Sequence, residues 1–537
     1  NHPQWTAIEN MSSFSYETLQ ARLFSHEDIL VLSRSTFIDF NEDGSNDVDG
    51  VSSLTGIAMA ITNWASGADQ LNLFLIGPET NGILDLGSGE SLAAPLLDDW
   101  LDKFQVDDRR VQLVMEFARS GSFLSELTAP PSRERISIAS AQADQEVLWS
   151  GDGLISFLSF FLNHIIGGET IGDAFNLARR AIRSASGPVR QTALLDDDGD
   201  GVADPQFGTW SFASASYIGP AFVTGDNPPF IGDVISDFIS FTNSVVTLWA
   251  DELLDVDGIS NVWCFITPPD FDGHTELERT KLTMNPITAR YEVSYVGFDL
   301  PGRWNLTFLA EDREGCISPP AQSSVTVTTL VQIAGRVRDE VTGAWVDGAS
   351  IQFDNGVTND WVSMIDGRFP PSVRLSVGSW KLTLARTDFL PRVFPDIEVG
   401  SDTNLGMLFM TPVDTNFNGI ADVWEQIFFG GPVDAAEDSD QDGLSNFEEY
   451  LAGTDPTDIH SVFKIRLAIT NGVELSWTTY PGREYVIETA GDLLLGDWTS
   501  TGFVITGTTE AVETLWTDPD PPATGRRYYR SIRKQIQ

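Results

Sequence analysis

The sequence predicts a multidomain chain: an N-terminal α/β domain, with a mainly parallel sheet flanked by helices, followed by all-β sandwich modules. Three observations predict it. Residues 1–225 alternate short apolar runs with amphipathic stretches. After about residue 226 the helical periodicity stops, and short alternating runs between turn signals take over. A length of 537 residues also exceeds what one core organises, so roughly three to five domains are expected.

In residues 1–225 the strand-like runs are 29–32, 71–76, 111–115 and 136–139, and the helix-like stretches are 51–64, 93–104, 154–166 and 171–182. Residues 226–328 carry the alternating runs 245–250, 262–266 and 304–308, which read as an immunoglobulin-like β-sandwich. Residues 329–413, with Gly335, Thr342, Gly343, Gly348 and the Gly378–Leu382 run, resemble the carboxypeptidase-regulatory or transthyretin-like β-module. Residues 414–458 form an acidic segment, and 459–537 return to β-rich patterning around Trp477, Tyr485 and Tyr528, expected to form a C-terminal β-sandwich.

The balance of 32 basic against 78 acidic residues gives a net charge of −46. Such a charge repels nucleic acid and anionic membrane. No apolar run approaches the roughly 20 residues of a membrane-spanning helix, so no membrane insertion is expected. The chain opens on Asn1 without a Met, as an exported protein would after removal of a signal peptide, and an extracellular or cell-surface location is the expectation. Cys264 and Cys316 fall in one β-domain; in an oxidising compartment they are expected to pair, the alternative being two separate thiols. Asn10 and Asn305 match the Asn-x-Ser/Thr sequon.

Two positions decide the reading of the first domain. The run 73–76 ends in Gly77, Pro78 and Glu79; the run 111–115 continues as Glu116, Phe117, Ala118, Arg119, Ser120, Gly121, Ser122 and Phe123. The order of these segments, with the later 135–141 and 168–175 stretches, resembles the caspase, legumain and clostripain-like clan of cysteine peptidases. The resemblance places a catalytic His at Pro78 and a catalytic Cys at Ala118. It also shows Glu79 where a Gly would stand and Glu116–Phe117 where Asp-Ala would stand. Alanine carries no nucleophile and proline transfers no proton. The resemblance therefore implies a caspase-like pseudo-peptidase domain with no catalytic residues.

Four segments share one spacing of oxygen side chains. Asp414, Asn416, Asn418, Asp422 and Glu425 occupy positions 1, 3, 5, 9 and 12 of one loop, with Gly419 at 6 and the Ile420 carbonyl at 7. Asp438, Asp440, Asp442, Asn446 and Glu449 repeat the pattern, with Gly443 at 6 and the Leu444 carbonyl at 7. This is the EF-hand ligand set: alternate oxygens converge on a hard cation, Gly permits the sharp turn, and the last Glu binds through both oxygens. Together the two resemble dockerin and thrombospondin type 3 loops. Asp39, Asn41, Asp43 and Asp47, and Asp196, Asp198, Asp200 and Asp204, follow the same spacing without the final Glu. Calcium is the expected ligand of all four.

The function expected from these features is that of an exported, calcium-stabilised, catalytically inactive protein, a structural or interaction subunit of an extracellular fibre or surface assembly. Its expected partners are further copies of itself or other extracellular proteins. The alternatives are a secreted clostripain- or legumain-like peptidase, and a glycan-binding adhesin using Trp249, Trp263, Trp304, Trp345, Trp380, Trp477 or Trp498. Most of these tryptophans are expected in the cores, since they sit in strand-like runs.

Overall fold

The structure is a computed structural model that describes residues 4–40, 44–80, 82–87, 89–205, 211–222, 228–356, 358–364, 366–469, 472–480, 483–493, 495–507, 512–521 and 527–533. The chain divides into two compact units, Asn1–Thr328 and Thr329–Gln537.

The first unit opens with an α/β layer structure. Its sheet runs in the order β1 (Gln70–Ile76), β2 (Arg110–Glu116), β3 (Arg135–Ala139) and β4 (Leu194–Asp196). The first three strands are parallel, and β4 is antiparallel, with Ser137 opposite Asp196. Its helices are α1 (Trp5–Ala21), α2 (Leu54–Thr62), α3 (Ala94–Phe104), α4 (Phe157–Ile166) and α5 (Ile171–Ala185). The period-2 alternation of the strands sorts their side chains between two cores. Leu71, Leu75, Val111, Leu113 and Met115 pack with α2 and α3, whereas Val114, Ile136 and Ile138 pack with α1, α4 and α5. Ser53, Ser156 and Thr170 cap α2, α4 and α5 by accepting the N–H of Gly56, Ser159 and Asp173, each cap worth about 1 kcal/mol.

Three features differ from the sequence reading. Run 29–32 contributes only the two-residue strand Leu32–Ser33, paired with Gly50–Val51 outside the main sheet. The Asp49 carboxylate and backbone take the Val31 N–H and C=O, so the run is tied to an acidic loop rather than to β1. Helix α1 stands where no helix was expected. And α4 is buried on every side rather than amphipathic.

The burial of α4 has its cause in residues 228–328. These form a sandwich of a four-stranded sheet (230–234, 246–254, 290–295, 283–285) and a five-stranded sheet (238–241, 321–328, 302–312, 259–267, 278–281). Phe265, Phe271, Leu277 and Leu309 from this sandwich belong to the same core as α4 and α5. Asn163 donates to the Ser318 carbonyl (3.2 Å), Thr267 to the Ala185 carbonyl (2.7 Å) and Gln322 to the Ala181 carbonyl (2.8 Å). The sandwich thus covers the helical face of the α/β layers, and the two share one core within the first unit.

The expected Cys264–Cys316 disulfide is not formed. Strand register explains why. Cys264 stands opposite Phe308, deep in the sandwich core, whereas Cys316 lies beyond the end of that strand, its carbonyl accepting the Asp312 N–H. Four residues of strand separate the two levels, roughly 13 Å at the usual rise. A disulfide needs Cα atoms within about 7 Å. Burial pushes the Cys264 thiol pKa well up.

The second unit begins with a sandwich of three strands (374–376, 330–339, 403–410) and four strands (358–362, 350–354, 378–386, 389–399) around Phe353, Phe369 and Trp380. Two short helices follow, α6 (Asp422–Phe428) and α7 (Asn446–Ala452), each leaving one acidic loop. A final pair of three-stranded sheets closes over Leu475, Trp477, Tyr485, Ile487 and Trp516. Among the described residues no helix is long and apolar enough to cross a membrane.

Candidate metal centre

The four acidic loops share one turn, at position 6. The glycine at position 6 has φ of +86°, +81°, +90° and +100° at Gly44, Gly201, Gly419 and Gly443, a region that a side chain disfavours. Each of these glycines donates its N–H to the aspartate at position 1: Gly44 to Asp39 (2.8 Å), Gly201 to Asp196 (3.0 Å), Gly419 to Asp414 (2.9 Å) and Gly443 to Asp438 (2.9 Å). Position 4 is also left-handed at Gly199 (+73°), Phe417 (+59°) and Gln441 (+66°). In three loops the N–H of position 2 closes onto the aspartate at position 9: Phe40 to Asp47 (2.7 Å), Asp197 to Asp204 (2.9 Å) and Thr415 to Asp422 (2.8 Å). The shared spacing therefore gives the same closure of position 6 onto position 1 in all four loops.

The 438–449 loop is the most completely formed. Carboxylate oxygens of Asp438, Asp440 and Asp442 lie within 4.8 Å of one another. Asp440 Oδ2, Asp442 Oδ2, Asn446 Oδ1 and Glu449 Oε2 are buried and accept no hydrogen bond. Burial, then the charges of Asp440, Asp442 and Asp438, pushes the Glu449 carboxyl up to about 7, against the one hydrogen bond from Thr454. Buried acceptors without donors are costly. One hard divalent cation, taking six to eight oxygens, would satisfy them together.

In the 414–425 loop Asp414 Oδ1 is likewise buried without a partner. Here Glu425 accepts from Asn416 Nδ2 (3.0 Å), Asn418 Nδ2 (2.8 Å) and the Val433 N–H (2.9 Å). The amides supply the positive edge that a cation would supply. The Ile420 N–H donates to Asn418 Oδ1 (2.8 Å) and the Leu444 N–H to Asp442 Oδ1 (2.8 Å), which winds both loops at position 7.

In the first unit, oxygens of Asp196, Asp198 and Asp204 lie within 4.8 Å of one another. Burial, then the Asp200 and Asp198 charges, raises the Asp196 carboxyl to about 6, against N–H donors from Gly201 and Gly199. Asp200 accepts the Val202 N–H (2.8 Å). Asp47 accepts from the Tyr16 hydroxyl (3.1 Å) as well as from Phe40. Asn41 and Asp43 lie outside the described residues.

Pro78 and Ala118 follow adjoining strand ends. Ile76 pairs with Glu116, and the Gly77 N–H reaches the Glu116 carbonyl. Their neighbours are joined by charge: Arg119 donates to Glu79 (2.7 Å), whose side chain is 1% exposed, and pairs also with Glu146. Beneath them Glu116 is fully buried, accepting from Trp149 Nε1 (2.6 Å) and the Leu158 N–H (3.0 Å) in the first turn of α4. Burial holds its carboxyl up at about 8, against these donors. Spacing named Glu116, but the Glu79–Arg119–Glu146 bridge had no signal in it.

Of the seven tryptophans considered for glycan stacking, Trp304, Trp380 and Trp477 are core residues. The other four each lie under an arginine: Trp249 under Arg290 (4.0 Å to the ring centre), Trp263 under Arg279 (5.4 Å), Trp345 under Arg338 (4.1 Å) and Trp498 under Arg530 (4.4 Å). A guanidinium on the ring occupies the face a sugar would use.

No protein-family model matches the chain, and no curated protein matches it. Solved structures show local likeness. One is a type II cohesin–X-dockerin complex from Acetivibrio cellulolyticus, at 17% identity over 17% of this chain and 64% of that chain, with a TM-score of 0.14. Others are a bacterial ice-binding adhesin (13% identity, 57% and 97% covered, TM-score 0.16) and the SrpA adhesin of Streptococcus sanguinis (14% identity, 32% and 92% covered, TM-score 0.16). The chain spans 64% of the length of the first. Scores of this size assign neither fold nor function.

Proposed function

We propose that this chain is an extracellular, calcium-stabilised structural or interaction subunit, whose α/β layers are a caspase-like peptidase frame without peptidase chemistry. The observation that carries the reading is the common loop geometry, with the buried, donorless oxygens of Asp440, Asp442, Asn446 and Glu449 at its best-formed instance. Free calcium is millimolar outside cells, the range in which extracellular sites of this type fill.

The non-catalytic part of the reading rests on Pro78 and Ala118 and on the ion bridge between their neighbours. A cysteine- or serine-type peptidase needs a thiol or hydroxyl with a base within hydrogen-bond reach. Ala118 offers neither, and Arg119 in its left-handed conformation is committed to Glu79 and Glu146. The arginine-covered tryptophans weigh against glycan stacking as the main activity.

The test has two arms on the purified full chain. Sedimentation velocity with calcium and with excess chelator reads the calcium-dependent compaction or association expected of a structural subunit. A broad fluorogenic peptide panel reads cleavage, expected to be nil for the natural chain. Turnover that co-purifies with the chain and survives a His- and Cys-directed inhibitor control would refute the non-catalytic reading, and sedimentation unaffected by calcium would refute the structural one.

A further inference from the structure

One short segment, 433–437, is bonded to both acidic loops of the second unit. At its start the Val433 N–H donates to Glu425 Oε1 (2.9 Å), and the Val433 carbonyl accepts from Asn418 Nδ2 (2.9 Å). These are positions 12 and 5 of the 414–425 loop. Further along, the Asp434 carbonyl accepts from Asn446 Nδ2 (2.8 Å), the Glu437 carbonyl from the Asn446 N–H (2.7 Å) and the Ala435 carbonyl from the Phe447 N–H (3.0 Å). Asn446 is position 9 of the 438–449 loop. The Phe447 ring also stands against Gly419, the position-6 glycine of the other loop, where a Cβ would lie 3.0 Å from it. Val433, Ala435 and Phe447 pack on one small core with Ile420, Ala421 and Tyr450. Glu425 and Asn446, the side chains at the two ends of this strap, are buried.

The two loops are unequally prepared for a cation. In 438–449 the ligand set includes the acids Asp438, Asp440, Asp442 and Glu449; in 414–425 it includes only Asp414, Asp422 and Glu425. Ligand charge tunes affinity in loops of this class. Asp440 Oδ2, Asp442 Oδ2, Asn446 Oδ1 and Glu449 Oε2 are buried without donors. Glu425, by contrast, already takes the Val433 N–H and the side-chain amides of Asn416 and Asn418. It must release both amides before its two oxygens can serve a cation.

We propose that the two loops fill in order, 438–449 before 414–425, and that the 433–437 strap carries the first event to the second. Once Asn446 Oδ1 is committed inside its loop, the side chain no longer turns, and its two N–H groups hold Asp434 and Glu437 in place. That fixes Val433, and Val433 keeps Glu425 oriented while its asparagine donors leave. Order already imposed at the first loop need not be imposed again at the second, so the coupling is positive and, by linkage, mutual. Repulsion between two divalent cations opposes it, which holds the effect to about three- to fivefold, at the low end for coupled sites. The inference rests on the calcium reading given above and adds an order and a route to it.

The experiment is hydrogen–deuterium exchange of the full chain over a buffered free-calcium series, read by mass for peptides covering 414–430, 438–452 and 194–204 separately. Peptide 438–452 should gain protection at the lower free calcium. In Glu449→Gln the midpoint of 414–430 should rise about three- to fivefold, although that loop is untouched, while 194–204 in the first unit stays where it was. Val433→Pro deletes the N–H on Glu425 and should make 414–430 indifferent to Glu449→Gln. Phe447→Leu, which stays apolar but withdraws the ring from Gly419, is a milder second variant and should shrink the shift. A 414–430 midpoint unmoved by Glu449→Gln, or protection of 414–430 before 438–452, overturns the proposal and leaves calcium binding standing. An equal shift in 194–204, or a shift that survives both Val433→Pro and Phe447→Leu, overturns the strap as its route. Protection that ignores calcium in both loops overturns the calcium reading and this inference with it.

Discussion

Calcium removal is the perturbation that most directly probes the second unit. Its two loops, 414–425 and 438–449, each offer an oxygen set of the EF-hand type. Extracellular sites of this class bind at about 0.1–1 mM. At about 10 mM calcium each then stabilises the folded unit by roughly 1.4–2.7 kcal/mol, and two sites by roughly 3–5 kcal/mol. For a unit of about 200 residues, each kcal/mol moves the melting temperature by about 2–4 °C. Calorimetry should therefore show the second-unit transition falling by roughly 6–20 °C when calcium is replaced by chelator. Glu449→Gln removes one charge from the bidentate ligand of the better-formed loop and should cut that fall to about half. A second-unit transition that is unmoved by chelator, or a fall in Glu449→Gln as large as in the natural chain, would refute the loop argument.

Other outcomes follow from the same structure. Glu116 keeps its proton to about pH 8 in the folded head but ionises near its ordinary value of 4.5 when unfolded. Its contribution is full below that ordinary value and is lost as pH rises to about 8, at roughly 1.4 kcal/mol per unit, with no further loss above. Urea midpoints at pH 5.5 and 7.5 should differ more in the natural chain than in Glu116→Gln, and equal slopes would dismiss the buried proton. Thiol titration in denaturant without reductant should find both Cys264 and Cys316; a count of zero would restore the disulfide. A chain ending at residue 225 should lose the cover on α4 that Phe265, Phe271, Leu277 and Leu309 provide and bind a hydrophobic dye. Cooperative unfolding of that fragment without dye binding would show that the sandwich is dispensable.

How far the sequence spoke depended on how local each cause was. β1 to β3 were legible because their Leu, Val and Ile runs sit between turn residues. Helix α1 was not. Its Ser12, Ser13, Ser15 and Thr18 lower intrinsic helicity, and the helix is held by burial of Ala7, Ile8, Met11 and Tyr16, with Ser12 and Ser15 bonding back to the Ile8 and Met11 carbonyls. Helix α4 reads as amphipathic only if Ser159, Asn163 and His164 are taken as a solvent face; its apolar residues at seven of ten positions are the mark of a helix covered all round. The cysteines misled because sharing a domain says nothing about register, and register decided the matter. The loop turns were legible because the Asp and Gly that close each one lie within a dozen consecutive residues.

The loops are also more than surface ornaments, because residues at positions 1, 2 and 9 continue into the fold. Asp196 is at once the last residue of β4, opposite Ser137, and position 1 of its loop. Asp197, at position 2, accepts the Phe212 N–H (3.1 Å) at the start of the one-turn helix Phe212–Ala215, whose Ala213 is in the main core. Asp47 does the same for α1 through Tyr16, a residue buried against Ile29 and Phe40. A cation that tightens either loop therefore restrains a sheet edge or a helix, not a free turn. Calcium binding and core packing are then coupled in one free energy, and substituting Tyr16→Phe, which keeps the ring and removes the Asp47 bond, should lower calcium affinity at the first loop without moving the second unit's transition. Simultaneous loss in both units would mean that the coupling runs through global stability instead, and equal affinity in Tyr16→Phe would mean that the loop is autonomous.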